Sequence, residues 1–119
     1  MIPAKSKADE IRALNDEFRR QGPLFGRTRF DGLWLVAAEV QARGPSFVWQ
    51  AIARTQTFDG FTAEDDPFRE HASGLFEVGE ARVVWQFDYL ERGTQFEARD
   101  PSDNSATCRM ITIMLADEG

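Results

Sequence analysis

Between Phe58 and His71 the chain reads Phe-Asp-Gly-Phe-Thr-Ala-Glu-Asp-Asp-Pro-Phe-Arg-Glu-His. Asp59, Glu64, Asp65, Asp66 and Glu70 therefore stand beside the sole histidine and the rings of Phe58, Phe61 and Phe68. Three chemistries draw on such residues. Carboxylate oxygens with one imidazole form a hard-donor set for Mg²⁺ or Mn²⁺, here Asp65, Asp66, Glu70 and His71, with Asp88 as a further ligand. Imidazole titrates near neutrality, so His71 beside Glu70, Asp88 or Tyr89 is a candidate proton shuttle. Aromatic anchors inside a negative rim suit docking on a basic protein surface.

The metal reading is weakened by spacing that matches no defined motif; an EF-hand needs alternating acidic positions, a central glycine and a terminal glutamate. The plainer reading makes Asp66-Pro67 the cap of a short helical turn, with His71 hydrogen-bonded to a nearby carboxylate. Acid–base chemistry lacks a nucleophile. Ser73 has no elbow motif around it, and Cys108 lies in an apolar strand, where cysteines are usually inert core. Asp88 sits on the strand face opposite Trp85, and if that face is covered it needs Arg109 or His71 as partner. Phe58, Phe61 and Phe68 are open to two readings, as partner anchors or as pins holding the loop to the core. The expectation is a non-catalytic surface made of Asp59, Phe61, Glu64, Asp65, Asp66, Phe68, Glu70 and His71, with no cofactor. A small metal-assisted enzyme using Asp65, Asp66, Glu70, His71 and Asp88 is the alternative.

Charge concentrates in the same place. The chain carries a net −6 over 119 residues, with +3 over residues 1–56, −6 over 57–81 and −3 over 82–119. An acidic patch of this kind repels phosphate backbones and attracts basic surfaces, which argues against direct nucleic-acid binding. The partner to expect is a protein with a basic surface, such as a nucleic-acid-binding complex whose groove an acidic mimic can occupy. Arg19-Arg20 is explained as a pair complementing a helix dipole, and Arg27 and Arg29 as gatekeepers of an edge strand.

The elements that must carry this loop follow from periodicity. Ser6 with Asp9 opens a helix over about Lys7–Gln21, with Ile11, Leu14 and Phe18 on one face and Gly22-Pro23 ending it. Arg27–Val40 reads as extended chain, with Asp31-Gly32 as a turn or bend. Gly44-Pro45-Ser46 starts a second helix reaching about Gln56. Leu75–Val78 and Arg82–Glu91 form a hairpin across Gly79-Glu80, in which Val83, Trp85, Phe87 and Tyr89 alternate with Val84, Gln86 and Asp88. Gly93–Ser105 is a polar loop, and Thr107–Leu115 is a strand apolar on both faces, as a central strand would be.

The order helix, strand, helix, hairpin, strand predicts a single α+β domain over residues 1–119. Its sheet has about four strands, antiparallel or mixed, with two helices packed on one face. At this length a single core buries roughly two-thirds of the unfolded surface. No apolar run approaches the ~20 residues that span a membrane. Two lysines near the start with no apolar stretch behind them do not make a secretory signal. A lone Cys108, which cannot form an internal disulfide, fits a reducing cytoplasm.

Several pieces together resemble a small bacterial family known as domain of unknown function 3768. They are Ile11–Arg19, Phe58-Asp59-Gly60-Phe61-Thr62, Asp65-Asp66-Pro67 with Glu70-His71 and Gly74, Trp85-Gln86-Phe87-Asp88-Tyr89 and Thr112–Ala116. Asp65 and Ala72-Ser73 depart from the family pattern, and residues 24–46 match it poorly. The resemblance implies an α+β fold and a set of positions rather than a mechanism. It also implies an association with plasmids and other mobile DNA, hence with defence, counter-defence such as anti-CRISPR or anti-restriction action, or plasmid maintenance.

Overall fold

The computed structural model describes residues 6–23 and 29–116. The residues on either side of these ranges, including the first five and Arg27, lie outside that description, so the readings placed on them stay as sequence expectations.

Helix α1 spans Lys7–Gln21. The Ser6 hydroxyl accepts from the Asp9 backbone N–H, satisfying one of the unpaired donors of the first turn. Gly22 ends the helix at φ 77°, a conformation that costs glycine no Cβ clash. Strand β1 (Asp31–Val36) follows, and the short helix α2 (Ala38–Gln41) comes directly after it. The extended reading therefore holds only to Val36. Val40, read as extended, instead points from α2 into the core and is fully buried. Asp31-Gly32 lies within β1 and makes no turn. Helix α3 (Pro45–Gln56) begins with proline at its first position, where the missing N–H has no partner to lose.

Strands β2 (Ser73–Val78), β3 (Ala81–Glu91) and β4 (Thr107–Leu115) complete one sheet in the order β1-β4-β3-β2. β1 runs parallel to β4, whereas β3 pairs antiparallel with both β4 and β2. The sheet is mixed and open, and the described residues form three helices rather than the expected two. The segment carrying α2 and α3 crosses from the β1 edge to the β2 edge, and the meander β2-β3-β4 returns. β4, the predicted central strand, is indeed central.

The helices cover one face. Phe18, Val40, Ala51 and Ile52 pack with Phe76, Val83, Trp85, Phe87, Ile111 and Ile113 in one hydrophobic core. Gly32 admits this packing, because a Cβ there would collide with the Phe18 ring. The opposite face carries Leu33, Leu35, Leu75, Val84, Gln86, Asp88, Met110 and Met114. Period-two alternation assigns each strand residue to its face. β4 is not apolar throughout: Thr107 and Arg109 are buried on the helix side, and Thr112 stands on the open face.

Candidate functional site

The loop from Phe58 to Ala72 runs from the end of α3 to the start of β2, and α1 grips it by one face. Residues 12, 15, 16 and 19 of α1 share that face at helical spacing. Arg12 donates to the Arg69 carbonyl (3.0 Å) and Asn15 to the Glu70 carbonyl (3.0 Å). Asp16 Oδ1 lies 2.8 Å from His71 Nδ1. Three successive loop residues are thus held by three positions of one helix.

That hold maintains an uncommon backbone. Arg69 and His71 both sit at positive φ, 58° and 53°, without being glycine. Such conformations persist where surrounding contacts over-determine them. Asp66 supplies more of these contacts, since its carboxylate accepts from the backbone N–H groups of Glu70 and His71. Arg69 N–H closes a turn onto the Asp66 carbonyl (3.1 Å), with Pro67 in its first central position. The carboxylate and proline therefore shape a β-turn, where a helical turn was expected.

His71 is oriented by its ring face and by both ring nitrogens. Its ring stacks on Phe61, with centroids 3.6 Å apart and 3° between planes. Nε2 faces Asp66 Oδ2 at 3.8 Å. Both ring nitrogens therefore look at carboxylates, from α1 and from its own loop. Phe61 and Phe58 meet edge to face, and both meet Trp85 of β3 in the same way. Phe58 and Phe61 pin the loop to the core. Phe68 does not; it is 74% exposed.

Behind the loop lies a buried polar network that sequence reasoning missed. Asn15, fully buried, donates to Glu70 and to the Tyr89 hydroxyl (2.7 Å) and accepts from Arg109 Nε (3.0 Å). Arg109, also fully buried, donates besides to Asn104 Oδ1 and the Pro101 carbonyl. Burial pulls its pKa down to about 10. Burial likewise pushes the Tyr89 phenol up to about 12, because the phenolate would be poorly solvated. Arg19, expected as a dipole partner at its own helix end, reaches across to α3. It donates to the carbonyls of Thr55, Gln56 and Phe58 and pairs with Asp16 at 2.9 Å. These carbonyls lie at and just beyond the C-terminus of α3, where intrahelical donors run out, and a buried guanidinium bonds them. Its pKa is lowered mainly by burial, with Asp16 acting against the shift. A polar residue on an otherwise apolar helix face, as Asn15 and Arg19 are beside Leu14 and Phe18, is the signal that was available.

The structure separates the metal-ligand candidates. Asp88 is exposed on the open sheet face, opposite Met110 in register, while His71 lies on the helix side. Neither Arg109 nor His71 can be its partner, since both belong to the covered face. Asp65 is exposed and bonded to the Thr62 hydroxyl. Glu70 is half-buried, its carboxyl held above the usual range by burial and then by Asp66. Among the described residues no three His, Cys, Asp or Glu side chains converge as a metal site.

For acid–base chemistry the described residues supply an oriented histidine, and the hydroxyl and thiol candidates lie elsewhere. A cavity of about 420 Å³ is bordered by Arg12, Phe61, Thr62, Asp66, Arg69 and His71. The Thr62 hydroxyl is spent on Asp65, and Ser73 lies on the open sheet face. Cys108, expected as core, is only half-buried and faces the same open side; burial, then Asp31, raise its thiol pKa, which disfavours the thiolate.

The remaining members of the expected surface fall into two groups. Asp66, His71 and Phe61 are spent on building the loop, and Glu70 contributes to it through its backbone. Asp59, Glu64, Asp65 and Phe68 are exposed, and none of those three carboxylates has an ion-pair partner among the described residues. No helix of the described residues is long and apolar enough to cross a membrane.

No curated protein and no solved structure matches the chain. A family model described as a protein of unknown function (DUF3768) matches residues 36–118. That range takes in the loop and the hairpin and β4 behind it, whereas α1, with Asn15, Asp16 and Arg19, precedes it. On a match covering well over half its length, including the whole Phe58–His71 segment, the chain belongs to the DUF3768 family.

Proposed function

We propose that this protein is a non-catalytic binding module that docks through the Phe58–His71 loop onto a basic protein surface. The observation that carries the reading is Phe68, 74% exposed a few residues after Glu64 and Asp65, in a loop whose other aromatic residues are half-buried against the core. An aromatic side chain held in solvent by a strained, multiply anchored backbone is a preorganised anchor. The free carboxylates around it favour encounter with a positive partner and disfavour a negative one.

A protein that handles nucleic acid presents such a surface. The acidic loop would occupy it in place of a phosphate backbone and so regulate or inhibit the complex. Anti-CRISPR or anti-restriction action on a mobile element is the specific form of this reading. It rests on charge and on the family resemblance.

The test is affinity capture from the native host with wild-type bait, a Phe68→Ser bait and a Glu64→Lys/Asp65→Lys bait. Basic nucleic-acid-handling proteins should be retained by the wild type and lost from both variants. Retention of the same proteins by all three baits would overturn the proposal.

A further inference from the structure

The outer edge of β2 is open at one end. Phe87 N–H donates to the Ala72 carbonyl, so residues 72 and 87 form a hydrogen-bonded pair. The antiparallel alternation then turns the N–H and C=O of Gly74, Phe76 and Val78 toward β3, and those of Ser73, Leu75 and Glu77 outward. Arg54 closes the far end by donating to the Glu77 carbonyl at 3.1 Å. The outward backbone groups of Ser73 and Leu75 have no partner among the described residues. A row of this kind is a template for another strand.

The same stretch borders a cavity of about 280 Å³ lined by Phe58, Gly60, Phe61, Asp65, Ser73 and Leu75. One wall is thus the edge of β2, and the other is the acidic loop with two of its rings. We infer that an extended, basic segment of a partner protein adds here as a fifth strand, pairing with Ser73 and Leu75. Alternate side chains of an added strand point to opposite sides. An apolar one fills the space against Phe58 and Phe61, and a lysine or arginine reaches Asp65, with Asp59 and Glu64 contributing to the same negative field. The charge of this rim selects a basic occupant over an acidic one. The inference rests on the docking proposal above and names the geometry of its partner.

The probe is a capped seven-residue peptide alternating lysine with valine, titrated into the full-length chain labelled for amide NMR. The expected result is a shift and slowed exchange of the Ser73 and Leu75 amides on binding. Leu75→Pro removes an outward N–H without touching the ladder to β3, and should weaken binding at least tenfold while the Phe76 and Val78 amides stay protected. Leu75→Thr, which keeps the N–H, should bind more tightly than Leu75→Pro, and Asp65→Lys should weaken binding severalfold in a chain that folds normally. Absence of binding at millimolar peptide, or perturbation away from Ser73 and Leu75, would overturn the inference. Phe68→Ser separates the two proposals: partner capture lost with peptide binding intact supports both. Capture lost in a protein that never bound the peptide at β2 leaves only the docking loop.

Discussion

His71 Nδ1 lies 2.8 Å from Asp16 Oδ1, across 55 residues of sequence. This bond joins the first helix to the loop at one of its two non-glycine residues of positive φ, here 53°. The stacked Phe61 ring and the facing Asp66 carboxylate further orient His71. The histidine is therefore a cross-link that sets the loop's shape, and the loop in turn sets where Phe68 and its neighbouring carboxylates project.

Removing the cross-link should loosen the loop before it unfolds the domain. His71→Ala is expected to cost about 1–3 kcal/mol, the range for stranding a partly buried hydrogen-bonding group. His71→Gly should cost less than His71→Ala, because glycine accepts the positive φ freely. Denaturant midpoints measure the difference, and limited proteolysis should cut both variants faster between residues 58 and 72. A smaller loss for alanine than for glycine would contradict the strain argument.

Arg19 is expected to be the most sensitive polar position. Arg19→Met removes the side-chain donor from the carbonyls of Thr55, Gln56 and Phe58 and leaves Asp16 with His71 as its remaining side-chain partner. Breaking a buried charge network costs about 3–5 kcal/mol. Arg19→Lys should recover little, since a single ammonium cannot span the positions a planar fork reaches. Thermal denaturation of the two variants reads this directly.

Gly74→Ala tests the packing beneath the loop. The added methyl would lie 2.5 Å from Trp85 Nε1 and 2.8 Å from the Phe58 ring, both held in the core. Overpacking of this kind costs about 1–3 kcal/mol. Tryptophan fluorescence should shift together with the stability loss. In contrast, Phe68→Ser should change stability by less than about 0.5 kcal/mol, as an exposed position does.

Tyr89 is the sole tyrosine, so its ionisation can be followed by ultraviolet absorbance without interference. The phenol should titrate with a midpoint of about 12 in the folded protein and about 10, the ordinary value, in denaturant. The sign follows from proton binding. Between those values the folded state holds the proton that the unfolded state has released. The contribution of Tyr89 to stability is complete below pH 10 and is lost as pH rises toward 12. The buried Arg109, with its pKa lowered, acts in the opposite direction over the same range. The optical midpoint, rather than the net stability curve, is therefore the measurement that isolates Tyr89.

Local sequence was enough to determine α1, α3, the hairpin and β4, because each carries its own period and its own end signals. Ser6 and Gly22 bound the first helix, Gly44-Pro45 starts the third, and Gly79-Glu80 turns the hairpin. Local sequence also located the acidic loop, because charge and aromatic content are properties of composition. Four-residue α2 escaped because one turn of helix has too short a period to register beside the β1 strand. The partners of Asp16, His71, Arg19 and Arg109 were decided by tertiary structure alone. Asp16 meets His71, Arg19 meets the end of α3 and Arg109 meets Asn15 across elements far apart in sequence, and which buried polar group meets which depends on how helices and sheet pack. The same packing divided the aromatic residues of the loop: Phe58 and Phe61 found Trp85 within reach, and Phe68 was left in solvent because the turn at Pro67 carries it away from the core.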